Sequence, residues 1–155
     1  MDKGKMFETL IEKVEAMLKS EEPNRKKLKV ICRLLKNNIP GYDWIGFYLV
    51  DPNNERELII GPYVGEPTEH VRIPFGQGVC GRAADLGETV IVSDVSKEDN
   101  YLACSTKVKS EIVLPIFKKG KLIGELDIDS HQQSAFDDAD KKYLLKICEL
   151  ASELI

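Results

Sequence analysis

The 155 residues carry a net charge of −4 and are 43% apolar, which suits one ordinary domain with a real core and excludes a disordered chain. The acidic balance, with no long single-sign run, argues against nucleic-acid binding, which usually shows a basic stripe. The stretch Met1–Ser20 is charged every few residues, unlike a signal peptide, and no apolar run approaches a membrane span, so a soluble cytoplasmic protein with no membrane partner is expected.

Met6, Phe7, Leu10, Ile11, Val14, Met17 and Leu18 recur at helical spacing and predict an amphipathic helix over Lys3–Ser20. Pro23 suits the first turn of a second helix, with Leu28, Ile31, Cys32 and Leu35 as its apolar stripe and Asn37–Gly41 as its end. Asp43–Val50 alternates as a strand, Ile45, Phe47 and Leu49 on one face and Trp44, Gly46 and Tyr48 on the other. Asp51–Asn54 is a turn, and Glu57–Tyr63 returns as a second strand. A short run His70–Ile73 leads into a glycine-rich stretch, a small helix over Val79–Leu86 stopped by Gly87, and a strand over Thr89–Val92. Asp94–Lys109 reads as a long polar loop. Ser110–Phe117 and Lys121–Asp129 form a hairpin around Lys119-Gly120, and an amphipathic helix follows Phe136-Asp137 through Ile155. The class is α+β in one domain: helices over 1–40, sheet and loops over 41–130, a C-terminal helix over 131–155.

The hairpin pattern carries a register. Ile112, Leu114 and Ile116 share the apolar face with Leu122, Gly124, Leu126 and Ile128, so paired residue numbers must sum to an even value, as a three-residue loop Lys119–Lys121 would give. Glu111 then lies near Asp127 or Asp129, on the face away from the helices. A solvated outer face would explain those acids. Trp44 and Tyr48 shift the balance: if their strand neighbours the hairpin, two aromatics and three acids line one hollow. An apolar wall beside clustered acids can keep one of them protonated.

The four cysteines contain no CxxC pair, which argues against a zinc ribbon, and a secreted disulfide framework is not expected. Cys32 and Cys148 lie on apolar stripes and read as small buried hydrophobes. Cys80 sits at a helix start and Cys104 in a polar loop near Lys107 and Lys109, settings that favour a reactive thiolate. A metal site of Cys80, Cys104 and His70 lacks ligand-like spacing, so no metal is expected; His70 reads as a strand-edge residue and His131 has no assigned role. Gly76-Gln77-Gly78-Val79-Cys80-Gly81 matches the literal dinucleotide signature G-x-G-x-x-G, with Asp94 downstream. The preceding strand is too short and the helix too brief for a crossover unit, so a turn required by backbone geometry is the alternative.

Together, Trp44-Ile45-Gly46-Phe47-Tyr48, Gly61-Pro62-Tyr63, Arg72–Gly81, Ala103-Cys104, Ser110–Pro115 and Leu126–Ser130 resemble the GAF-fold free methionine-(R)-sulfoxide reductases. The resemblance implies a GAF fold: a central antiparallel sheet, N- and C-terminal helices on one face and the ligand pocket on the other. It implies reduction of free methionine sulfoxide, with Cys104 as nucleophile, Cys80 as resolving cysteine, and Trp44, Tyr48, Glu111, Asp127 and Asp129 lining the substrate pocket. It further implies no bound cofactor, thioredoxin as reductant (drawing on NADPH through thioredoxin reductase), and a homodimer. Three positions depart from the family pattern: His70 stands where many members carry a third cysteine, Ser105 where an aspartate commonly follows the nucleophile, and Val108 near the Ser-Glu pair. The competing class is a non-catalytic GAF module, sensing a small molecule or redox state; two reactive thiols and three acids fit a nucleotide ligand poorly.

Overall fold

A computed structural model describes residues 2–98 and 107–155. Helices α1 (Lys3–Leu18) and α2 (Asn24–Asn38) precede strands β1 (Trp44–Asp51), β2 (Asn54–Val64) and β3 (Arg72–Pro74). Helix α3 (Gly78–Leu86), strand β4 (Val90–Val92), the hairpin β5 (Ser110–Lys118) and β6 (Lys121–Ser130), and helix α4 (Asp138–Ala151) complete the chain. The sequence reading carried the last helix to Ile155; the α-helix stops at Ala151 and Ser152–Leu154 tightens into a 3-10 turn.

The six strands form one antiparallel sheet in the order β3-β2-β1-β6-β5-β4, so β1 does neighbour the hairpin. Alternation along the strands divides the molecule into two layers. Ile45, Phe47, Ile112, Leu114, Ile116, Leu126 and Ile128 face α1, α2 and α4, meeting Phe7, Leu10, Ile31, Leu35, Leu144 and Ile147. Each such fully buried side chain contributes about 1.5–3 kcal/mol, which is what fixes the strand phase. Asp2 and Asp137 cap α1 and α4 with their side chains. On the opposite face, Trp44, Tyr48, Leu58 and Val113 lie under α3, against Val79, Cys80, Ala83 and Ala84.

The hairpin differs in one respect from its expected form. Lys119 (φ 53°) and Gly120 (φ 76°) both sit in the left-handed region, so the turn has two residues, as a type I′ turn requires. The three-residue loop is therefore incorrect. Phase is kept instead by a bulge: the register shifts between Ile116 and Phe117, where Ile123 is the extra residue on β6. Beyond the bulge the expected register holds, from Ile116 opposite Gly124 to Ser110 opposite Ser130.

Candidate active site

Three rungs of the sheet carry the site. Glu111 pairs with Asp129, which pairs with Trp44; Val113 pairs with Asp127, which pairs with Gly46; Pro115 pairs with Glu125, which pairs with Tyr48. The register thus places Glu111 opposite Asp129, with Asp127 on the diagonal, resolving the pair left open by the sequence. All four carboxyl groups are buried, none more than 3% exposed. Trp44 and Tyr48 are equally buried beside them.

Gly46 is what lets the tryptophan lie flat. A Cβ there would stand 2.4 Å from Trp44 Cη2 and 2.8 Å from Tyr63 Cβ. The indole folds over this gap, stacks on Tyr63 with centroids 5.3 Å apart, and donates its N–H to Glu66 O at 2.9 Å. Tyr48 lies 6.4 Å from the Trp44 ring and donates its hydroxyl to His70 O at 3.0 Å. Two aromatic walls are held at fixed angles by backbone carbonyls of the β2–β3 connection.

The glycine-rich stretch forms the lid of this layer. Its amides turn inward: Gly76 N–H donates to Gly81 O, Gln77 N–H to Pro74 O, and Gly81 N–H to Gln77 O. A Cβ on Gly81 would stand 2.6 Å from Pro74 O, so only glycine lets α3 approach the strand this closely. β3 pairs antiparallel at the sheet edge, and no parallel crossover unit is present among the described residues. The dinucleotide reading therefore fails, and the turn serves to seat Cys80 over the acids.

Cys80 is buried, its Sγ 4.0 Å from Glu111 Oε2. The sequence reading of a thiolate favoured by the helix start is overturned. Burial pushes the thiol well above its ordinary range, and the charges of Asp127, Glu125, Glu111 and Asp129 push it further. One short helix, worth about half a charge at its end, cannot offset that many carboxyls. The same physics acts on the acids. Burial first, then the charges of Asp127 and Asp129, holds the Glu111 carboxyl far above the usual carboxylate range. Burial raises Asp127 too, but hydrogen bonds from Glu111 and Cys80 pull it back. Burial thus raises both carboxyls of the pair, Glu111 the more strongly.

Glu125 shares the strand phase of Asp127 and Asp129 but is missing from the sequence-predicted site. It is fully buried, its carboxyl raised by burial and by Asp127 and pulled back by the Cys80 thiol, with no other hydrogen-bond partner for either oxygen among the described residues. The strand phase that selected Asp127 and Asp129 selects Glu125 equally. A narrow cavity of only about 10 Å³ lies between α3 and the sheet, lined by Tyr48, His70, Gln77, Cys80, Glu111 and Asp127 among others. Trp44 and Asp129 are not among its lining residues: Trp44 stacks on Tyr48, and Asp129 pairs with Glu111. Larger hollows, near the β1–β2 turn and beside the start of α2, are open and hold no such cluster. His70 lines the cavity; the groups positioned to share a cation are Cys80, Glu111 and Asp127. Cys32 and Cys148 are buried in the helical layer with thiols raised by burial, as expected of core residues. Cys104 and Ser105 lie outside the described residues; Val108 is buried against the layer of α3.

A GAF-domain family model matches residues 27–155. GAF domain-containing protein A of Dictyostelium discoideum is 42% identical over 96% of this chain and 91% of its own. The free methionine-R-sulfoxide reductase of Escherichia coli is 34% identical over 95% of this chain and 87% of its own. The X-ray structure of free methionine-R-sulfoxide reductase from Neisseria meningitidis, in complex with its substrate, superposes with a TM-score of 0.91 at 36% identity, covering 99% of this chain and 90% of that one. The chain belongs to the GAF-domain free methionine-R-sulfoxide reductases. This is a family of enzymes, and the sheet with α1, α2 and α4 on one face is its GAF fold. Within that family fold, the layer under α3 carries the titratable groups.

Proposed function

We propose that this chain reduces free L-methionine-(R)-sulfoxide to L-methionine, with Cys104 as nucleophile and Cys80 as resolving thiol. The observation that carries the reading is the buried carboxyl set on the Trp44 and Tyr48 face, one member of which holds a proton where an ordinary carboxyl would not. Sulfoxide reduction needs such a proton. Cys104 thiolate attacks the sulfoxide sulfur while the Glu111 carboxyl hydrogen-bonds the oxygen and protonates it. The sulfur–oxygen bond breaks, the protonated oxygen passes to the Cys104 sulfur as the transient sulfur–sulfur bond breaks, methionine leaves reduced by two electrons, and Cys104 is left as sulfenic acid. Cys80 then attacks that sulfur; its thiol proton and the sulfenic hydroxyl leave as water, and a Cys80–Cys104 disulfide closes. A thioredoxin dithiol reopens it, itself recharged by NADPH through thioredoxin reductase.

Specificity follows from charge and shape. Asp127 or Asp129, ionised, receives the substrate ammonium, and Trp44 and Tyr48 pack on the methylthio end. Methionine within a peptide has no free ammonium and is excluded. A homodimer in the cytoplasm accompanies this reading by family resemblance. No helix among the described residues is long and apolar enough to cross a membrane. The alternative, a sensor module without turnover, shares the fold but needs no proton donor beside a thiol.

The test follows NADPH consumption in a thioredoxin-coupled assay with each free sulfoxide epimer. Turnover of the R epimer, abolished in Cys104→Ser, is expected. A wild type inert toward both epimers, in a coupling system shown to work, sinks the reading. Cys80→Ser should form one equivalent of methionine and then stop; unchanged steady-state turnover assigns resolution to another thiol.

A further inference from the structure

One feature of the site exceeds what an ammonium needs. Cys80 Sγ, a Glu111 oxygen and an Asp127 oxygen all lie within 4.8 Å of one another, wholly buried. Glu111 Oε1 and Asp127 Oδ1 have no hydrogen-bond partner among the described residues. Independently, Glu125 stands fully buried beside the same thiol, which is the sole partner its oxygens meet among the described residues. Burying a carboxyl this way destabilises the fold unless something is gained from it. No Lys or Arg is paired with any of these groups among the described residues. An ammonium satisfies carboxylates but makes no use of a thiol. A sulfur donor among oxygens is the signature of a borderline-soft divalent ion.

We propose that Cys80, Glu111 and Asp127, with Glu125 as the fourth donor, form a site for a zinc-class divalent cation. Zinc takes sulfur at about 2.3 Å and carboxylate oxygen at about 2.0–2.2 Å, so tetrahedral donors stand about 3.5 Å apart. The Cys80 Sγ to Glu111 Oε2 separation of 4.0 Å is within a rotamer adjustment of that spacing. Binding converts the thiol to thiolate and releases its proton, while the carboxyls not needed for charge balance keep theirs. The ion supplies the positive charge that the cluster lacks. It also withdraws Cys80 and Glu111 from their roles in the proposed reduction. On that reading, which this consequence rests on, the metal and the substrate ammonium exclude each other, and metal holds the enzyme off reversibly.

The test uses Co²⁺ on the fully reduced protein under anaerobic conditions. One equivalent should raise a near-ultraviolet thiolate-to-cobalt charge-transfer band, bleached on adding Zn²⁺. The band should persist in Cys104→Ser and vanish in Cys80→Ser, while Glu125→Gln weakens the apparent affinity at least about tenfold. Free L-methionine added to the wild type should weaken cobalt binding in proportion to its occupancy, a readout that needs no variant. Absence of the band, its survival in Cys80→Ser, or its loss only in Cys104→Ser overturns the site. A band of the expected kind in a protein that turns over neither epimer upholds the metal site and rejects the reductase reading alone. A band indifferent to methionine removes the exclusion while leaving the site.

Discussion

The two faces of the sheet bury polar groups in opposite ways. On the helical face, Asp140 is completely buried, yet it accepts from Lys3 Nζ at 3.0 Å, from the Tyr42 hydroxyl and from the Asp137 amide at 2.9 Å. On the α3 face, Glu125 is equally buried, and among the described residues its oxygens meet only the Cys80 thiol. The cysteines divide the same way: Cys32 and Cys148 sit among hydrocarbons, Cys80 among carboxyls. A satisfied buried acid locks α1 to α4 and has nothing left to offer. Unsatisfied ones retain the capacity to bind a cation or give up a proton, at a cost in stability that the helical layer covers.

The largest effect should come from the face built around unmet groups. Glu111→Gln keeps shape and hydrogen bonding but removes the proton that the buried carboxyl can transfer. Steady-state kinetics on the R epimer should show kcat/KM lower by about 10²–10⁴. Cys148→Ala, on the helical face, should leave kcat within about twofold while destabilising the fold by about 1 kcal/mol. Equal loss of activity in both variants would erase the distinction between the faces.

Next in size is a stability change on the helical face. Asp140→Asn strips the charge from a buried carboxylate that holds Lys3 and caps α4 through Asp137 N. Lys3 is one-third exposed, so the loss should fall below that of a fully buried pair, at about 2–3 kcal/mol by urea denaturation. Activity per folded molecule should not change.

Much of this contrast was legible from strand phase. The alternation of Ile112, Leu114 and Ile116 against Glu111, and of Leu126 and Ile128 against Asp127 and Asp129, fixed which side chains meet because a slip by one residue would expose an entire apolar face. Cys32 and Cys148 could be set aside because helical spacing placed them on buried stripes. Glu125 escaped because the register argument stopped at the acids nearest Glu111, whereas Glu125 lies one rung further on, opposite Pro115. The Cys80 thiol was misjudged for a different reason. Helix position is local and readable, whereas the four carboxyls that raise the thiol come from two distant strands. The hairpin bulge at Ile123 was likewise hidden, since a two-residue turn with a bulge and a three-residue turn deliver the same phase to the site.

The smallest predicted effect has the opposite sign to the Asp140 change and depends on pH. The folded-state pKa of Glu125 is raised, by burial and then by Asp127, so the folded protein holds this proton where the unfolded chain has released it. Its contribution to stability is therefore complete at acid pH, below the unfolded carboxyl range, and is lost progressively as pH rises toward the folded value. Glu125→Gln removes that dependence. The variant should match the wild type near pH 4 and exceed it at pH 7–8 by about 1–2 kcal/mol, a rise in melting temperature of a few degrees. Asp140→Asn should be destabilised at neutral pH, so the same acid-to-amide substitution stabilises one face and weakens the other. A Glu125→Gln protein less stable than wild type at pH 8 would mean that this carboxyl is already satisfied, and the contrast between the faces would then rest on Glu111 and Asp127 alone.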